Sequence, residues 1–290
     1  MAYVGAEGVA MDREALIGKI EKLVETFDDT RVISLRQVYG LADAFGGIRE
    51  VELAALECGV VPERYVRNLG TVGVEGQKAL LRAKVAVVGL GGLGGYVAES
   101  LARMGVGSLV LIDHDVFEAH NLNRQLLSTL DTLGTQKAAA ACRRVSAVNP
   151  AVEADCRAEA LTAENLPDLL ADVDVVVDAL DRLPTRLMLQ DGAGGLGIPM
   201  VHGSIAGFLG QVMTILPGDA GLHALYGDGA GLPEQGLEAE VGTPAATPMA
   251  VAAWEAQEVV KLLTDQGELL RNRLLVLDMA SGTAQTMEFG

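Results

Sequence analysis

An uninterrupted apolar run, Val85-Ala86-Val87-Val88, passes directly into Gly89-Leu90-Gly91-Gly92-Leu93-Gly94, and a helical pattern starts at once behind it. A strand that ends in GxGxxG and opens a helix is a narrow architectural constraint. The glycines let the backbone approach a phosphate or a ribose, and the helix N-terminus presents N–H groups with partial positive charge. Asp113 follows 24 residues after Gly89, at the end of the next apolar run Ser108 to Ile112, where a carboxylate accepts hydrogen bonds from ribose hydroxyls. This unit alone says that a nucleotide binds and leaves open which one.

The rest of the chain fits a sheet built on that unit. Strands and helices alternate after Arg64, the pattern of a mostly parallel sheet covered on both faces. Strands are expected at Lys84–Val88, Ser108–Ile112, Val152–Arg157 and Val173–Ala179, with helices near 93–104, 134–148, 163–170 and 185–193 between and after them. Pro199–Gly203 and Gln211–Leu216 are spaced for a hairpin, so antiparallel strands are expected in the C-terminal half. A Gly/Pro/Glu-rich stretch over about 217–248 is too long for an ordinary connection, and a helix from Met249 to Leu263 and a strand Leu274–Leu277 end the pattern. The expected class is α/β, a Rossmann-like doubly wound sheet over residues 62–290.

Residues 1–61 read as a helical N-terminal extension. Leu16, Ile17, Ile20, Leu23, Val24 and Phe27 fall on one helical face over 12–27, and two shorter helices, 35–45 behind Ser34 and 50–58, follow. Three short helices invite comparison with a helix-turn-helix. From Asp12 to Arg64, however, seven basic side chains stand against eleven acidic ones, the wrong sign for DNA, and a docking extension or dimer arm is the better reading. The whole chain repeats the argument: 22 Lys and Arg against 39 Asp and Glu give a net charge of −17, which repels a phosphate backbone. No run approaches the roughly 18 apolar residues of a membrane span, and the first residues carry acids rather than the basic flank of an export signal, so a cytoplasmic protein is expected. Cys58, Cys142 and Cys156 form no CxxC pair, and Cys142 and Cys156 are expected to be buried thiols.

The residues beyond Asp113 argue against an NAD-dependent oxidoreductase, the first candidate for such a strand–glycine–helix unit. Asp113-His114-Asp115 leads to Asn121-Leu122-Asn123-Arg124-Gln125 and then to Gly134-Thr135-Gln136-Lys137. An amide, a guanidinium and an ammonium beyond a ribose carboxylate suit a triphosphate, and a dinucleotide does not need them. The strand ending at Asp178 then delivers Ala179-Leu180-Asp181, where a carboxylate is able to hold Mg²⁺ against phosphate oxygens.

This ordered series resembles the MoeB/ThiF/HesA adenylyltransferases, relatives of the ubiquitin-activating enzymes. The resemblance runs from Arg64-Tyr65-Val66-Arg67-Asn68 through the glycine loop, Asp113 to Asp115, Asn121 to Gln125, Gly134 to Lys137 and Asp178 to Asp181 with Arg186, and ends at Glu258 to Lys261, about four fifths of the chain. It implies ATP as substrate, with Mg²⁺, and a ubiquitin-like sulfur carrier of the ThiS/MoaD type as partner. The terminal carboxylate of the carrier's Gly-Gly tail attacks the α-phosphate, giving an acyl-adenylate and pyrophosphate for thiamine, molybdopterin or related cofactor synthesis. By position, Gly89, Gly91, Gly92 and Gly94 become the nucleotide cradle, Asp113 the ribose ligand and Asp115 its support. Asn121, Arg124 and Lys137 become triphosphate contacts, Asp181 the Mg²⁺ ligand, and Arg67 a contact to the γ-phosphate of the neighbouring protomer in a homodimer.

Three departures qualify the resemblance. The two CxxC pairs of the family are absent, so no structural zinc is expected, and no cysteine follows Cys156 to act as a loop nucleophile. The asparagine that usually follows the metal aspartate is Arg182, which adds a phosphate contact or weakens the metal site by repulsion; a non-catalytic nucleotide-binding scaffold is therefore a second reading. Of the four histidines, His202 is the one expected to line the channel for the carrier tail, and Trp254 is expected to pack within the last helix.

Overall fold

The computed structural model describes residues 12–229, 231 and 236–289. The first residues, on which the expectation about export rests, and part of the Gly/Pro/Glu-rich stretch lie outside them. The N-terminal part contains α1 (Arg13–Glu21), β1 (Glu25–Phe27), β2 (Thr30–Ile33), α2 (Leu35–Ala42), α3 (Ile48–Glu57) and β3 (Val61–Pro62). The helix expected over 12–27 therefore stops early and gives way to a hairpin. Asp28 and Asp29, both at positive φ (47° and 60°), form its two-residue turn, and aspartate is one of the few residues that accepts this conformation at low cost. Val24 and Phe27 fit the helical spacing and the strand equally, which is why periodicity alone misplaces them. Ser34 opens α2 as expected, its N–H donating to Gln37 Oε1 at 2.8 Å.

The remainder is α4 (Leu69–Arg82), β4 (Lys84–Val88), α5 (Gly94–Met104), β5 (Ser108–Ile112), α6 (Lys137–Val148), β6 (Glu153–Arg157), α7 (Leu166–Leu169), β7 (Val175–Asp178), α8 (Leu183–Gly195), β8 (Met200–Ala206) and β9 (Leu209–Ile215). After these come α9 (His223–Tyr226), α10 (Glu238–Val241), α11 (Ala246–Thr264), β10 (Arg273–Asp278) and β11 (Thr283–Glu288). One eight-stranded sheet runs β11-β10-β9-β8-β7-β4-β5-β6, parallel from β8 to β6 and antiparallel from β8 to β11. The expected mixed sheet is what forms. Strand β11 is not among the expected elements, because Thr-Ala-Gln-Thr-Met-Glu is exposed along its whole length on the sheet edge and carries no apolar alternation.

Alternation along the strands divides the core. Val85, Val87, Leu109, Leu111, Val175 and Val177 face α5, α6 and α11, while Ala86, Val88, Val110, Ile112 and Val176 face α7 and α8. Burying each Val or Leu stabilises by roughly 1.5–3 kcal/mol. A separate small core around Leu16, Ile20, Ile33, Val38, Val51 and Ala54 holds the N-terminal part, which joins the sheet domain through Leu53, Leu56, Tyr65 and Leu81.

Two expectations about side chains are corrected. Cys142 and Cys156 are joined in a disulfide between α6 and β6; Cys142 is buried but Cys156 is exposed, since β6 is an edge strand. Trp254 is 40% exposed on the outer face of α11. No helix among the described residues is long and apolar enough to cross a membrane.

Candidate active site

The chain reverses its direction of sheet growth at β4: β5 and β6 extend one way and β7 and β8 the other. The carboxyl ends of β4, β5 and β7 therefore leave a crevice, the place where open α/β sheets bind ligands. A cavity of about 490 Å³ lies there, and Gly89, Gly91, Gly92, Asp113, Asp115, Arg124, Lys137 and Asp181 all line it. Eight residues placed at the site from the sequence are thus brought together.

The glycine loop is shaped by contact. Gly89 has φ +91° and a Cβ there would come 2.5 Å from the Ala179 carbonyl oxygen, while one on Gly94 would meet the Gly89 carbonyl oxygen at 1.8 Å. Gly89 keeps the loop close to β7, and Gly94 packs the helix start against the strand rather than lining the cavity. Asp113, nearly buried, accepts the Leu90 N–H at 2.7 Å and the Asp115 N–H at 2.8 Å. It ties the glycine loop to the next strand end, and each of its oxygens retains a lone pair for a ligand hydroxyl.

Cations line the same cavity. Lys137, whose side chain is 9% exposed, holds Asp115 Oδ2 at 2.9 Å. Burial would raise the Asp115 pKa, but the Lys137 hydrogen bond and charge outweigh it and hold the carboxyl below its ordinary value. Arg124 is anchored on the His120 carbonyl at 3.0 Å and Asn123 Oδ1 at 2.8 Å, and faces the Asp181 charge across the cleft. Arg182 and Arg186 line the same space, and Asp181 itself is exposed to it.

Other expected residues sit elsewhere. Asn121 is buried outside the cavity, where its Oδ1 accepts the Glu118 N–H at 2.9 Å and shapes the loop that carries Arg124. Arg67 is 82% exposed, away from the cleft, 3.7 Å from Asp28 and over the Phe27 ring. His202 lines no channel: it is fully buried and hydrogen-bonded to Asp178. Sequence reasoning missed that Glu159 to Leu161 after β6, and Glu238 and Thr243 around α10, close the cavity. The low-periodicity stretch that contains Glu238 offered no signal beyond its length.

A nucleotide fits this donor set. The backbone cradle admits no Cβ at Gly89, and the nearly buried Asp113 shares the cavity with the cations Arg124 and Lys137 and the exposed Asp181. The ThiF family signature matches residues 65–290. The chain belongs to the ThiF family. It is 40% identical over 232 residues to a SAMP-activating enzyme of Haloferax volcanii, covering 78% of this chain and 85% of that protein. A sulfur carrier protein adenylyltransferase of Thermus thermophilus is 39% identical over 227 residues, covering 74% and 83%. The fold is shared with E. coli MccB solved with ATP, at a TM-score of 0.69 and 23% identity over 79% of this chain and 72% of that one.

Proposed function

We propose that this ThiF-family adenylyltransferase uses ATP and Mg²⁺ to adenylate the C-terminal glycine carboxylate of a ubiquitin-like sulfur carrier of the ThiS/MoaD type. The observation that carries the reading is the lining of one cleft, which brings the backbone cradle and Asp113 together with Arg124, Lys137 and Asp181. Gly89, Gly91 and Gly92 accommodate the nucleotide, Asp113 accepts from the ribose, and Arg124 and Lys137 take the phosphates. Asp181 would hold Mg²⁺, which takes one or two carboxylates and completes its shell with phosphate oxygens and water. When bound, the ion neutralises charge on the phosphate oxygens.

In the reaction a carboxylate oxygen bonds to the α-phosphorus as the bond from that phosphorus to the bridging oxygen breaks, and pyrophosphate leaves. No proton moves, because the attacking carboxylate is already ionised. The difficulty is the approach of one anion to another, and fixed cations such as Arg124 and Lys137 reduce it without reorganising. Arg67 reaches the γ-phosphate of a second protomer in a homodimer. Its exposure supports that role, as do the exposed apolar side chains Met249 and Trp254 on α11 and Leu122 and Leu130 on the loop bearing Arg124.

Exchange of radiolabelled pyrophosphate into ATP, measured with a panel of Gly-Gly-ended carriers from the same genome, tests the reading. Exchange with one carrier supports adenylation and identifies the cofactor pathway. ATP binding without exchange selects the second reading, a nucleotide-binding scaffold, which Arg182 beside Asp181 favours; Arg182→Asn is then the variant expected to restore exchange.

A further inference from the structure

Beneath the cleft floor lies a buried group with no part in the transfer chemistry. His202 and Asp178 stand in register on β8 and β7, both completely buried, with His202 Nδ1 2.7 Å from Asp178 Oδ2. Asp178 Oδ1 accepts the Leu180 N–H at 3.1 Å, and the Arg186 guanidinium on α8 donates to the Leu180 carbonyl. The peptide groups of Leu180 are thus gripped from both sides, one residue before Asp181.

The two grips are in competition with one another. Burial would raise the Asp178 pKa, but the Arg186 charge and the hydrogen bonds from His202 and Leu180 hold it below its ordinary value. Arg186 is attracted to that carboxylate, and a charge-assisted bond to it would be stronger than one to a carbonyl. The donors already on Asp178 resist this. An ionised Asp178 only accepts, so the His202 proton is on Nδ1. Burial, with the Arg186 charge, keeps the imidazole neutral against the pull of Asp178, and Nε2 is buried without a hydrogen-bond partner.

We propose that His202 is a positioning residue: its Nδ1–H occupies Asp178, leaves Arg186 on the Leu180 carbonyl, and so fixes the turn that presents Asp181 to the cleft. The proposal rests on the assignment of Asp181 to the metal–nucleotide complex and is independent of the identity of the carrier.

Asparagine and glutamine separate the two imidazole nitrogens, because the Asn amide N–H falls near Nδ1 and the Gln amide near Nε2. The readout is binding of a fluorescent ATP analogue to the full chain without carrier, titrated with Mg²⁺. His202→Gln and His202→Ala should raise the Mg²⁺ concentration for half-maximal binding about tenfold, the scale seen when partners behind a metal ligand are removed. His202→Asn should stay near wild type, and binding without Mg²⁺ should not change in any variant. In the unsubstituted protein, ¹⁵N NMR should show His202 as the Nδ1-protonated tautomer at neutral pH.

An unchanged Mg²⁺ requirement in His202→Gln, an Asn variant as impaired as the Gln variant, or an Nε2-protonated imidazole overturns the proposal. Should His202→Ala fail to fold, the Asn and Gln pair still decides. Mg²⁺-dependent ATP binding without exchange on any carrier would remove the carrier reading and leave this one standing, whereas no ATP binding at all would remove both.

Discussion

Two buried carboxyls, each beside an arginine, have their pKa values pushed in opposite directions. Asp178 under the cleft is held below its ordinary pKa, whereas Glu52, at the joint between α3 and the sheet domain, is raised from 4.5 to about 7 by burial, against the charge of Arg64 and the hydrogen bond from Tyr65. Asp178 receives a backbone N–H and an imidazole, both well directed. Arg64 Nε comes within 3.0 Å of Glu52 Oε1, but neither atom makes an aligned hydrogen bond, and Tyr65 supplies the one good donor at 3.0 Å. Both carboxyls have an arginine charge beside them; Asp178 adds two directed donors to it, Glu52 only one. The cleft has its charges fixed before a ligand arrives, while the joint needs only to hold two bodies together.

That contrast is broken if cleft variants unfold the protein or joint variants abolish activity. The largest expected effect is Asp181→Ala: loss of about 10³-fold or more in pyrophosphate exchange, the scale of removing a principal electrostatic contact, with the melting temperature unchanged because the side chain is exposed. Arg67→Ala should come next, again about 10³-fold by comparison with other arginines that act on a phosphate from a second subunit. Mixing Arg67→Ala with Asp181→Ala chains should restore up to about a quarter of wild-type exchange, since half the dimers are mixed and each has one complete site. No recovery on mixing would place Arg67 outside the partner's site.

Glu52→Gln sharpens the other side. Because the folded protein retains a proton that the unfolded chain has released, the wild type loses stability relative to the Gln variant as pH rises from about 4.5 to about 7. The slope is at most about 1.4 kcal/mol per pH unit, read from denaturant midpoints across that window. Parallel curves for the two proteins would mean that Glu52 titrates normally, and with it the contrast to Asp178 would disappear.

How much of the molecule was legible in the sequence divides along the same line. The glycine loop, Asp113, Arg124, Lys137 and Asp181 are found where strand ends and spacing put them, because a parallel sheet forces successive strand ends into one crevice. Arg64-Tyr65-Val66-Arg67-Asn68 reads as one motif yet splits in space: Arg64 and Tyr65 turn inward to Glu52 and Asn149, and Arg67 turns out. His202 shows only as a polar residue in an apolar strand, and its partner, 24 positions earlier, is set by the β7–β8 register. The Asp28-Asp29 turn ends the helix early through local backbone conformation, which apolar spacing does not report.

Tyr65→Phe is the smallest effect and bears most directly on why the two carboxylates differ. Asn149 Nδ2 donates to the Tyr65 hydroxyl at 3.0 Å and to the Ala102 carbonyl at 2.9 Å, so it keeps a partner when the hydroxyl is removed. Glu52 Oε2 does not, since the Tyr65 hydroxyl is its donor. While Glu52 holds its proton the loss is that of a neutral hydrogen bond, about 1 kcal/mol; above pH 7, where the wild-type carboxyl ionises, it grows toward about 2 kcal/mol, the value of a bond to a charged group. The cost of Tyr65→Phe should therefore rise with pH across that point and leave pyrophosphate exchange intact. A cost that stays flat with pH would mean that the Tyr65 donor does not favour the ionised acid, and directed donors would then have no share in the difference between Glu52 and Asp178.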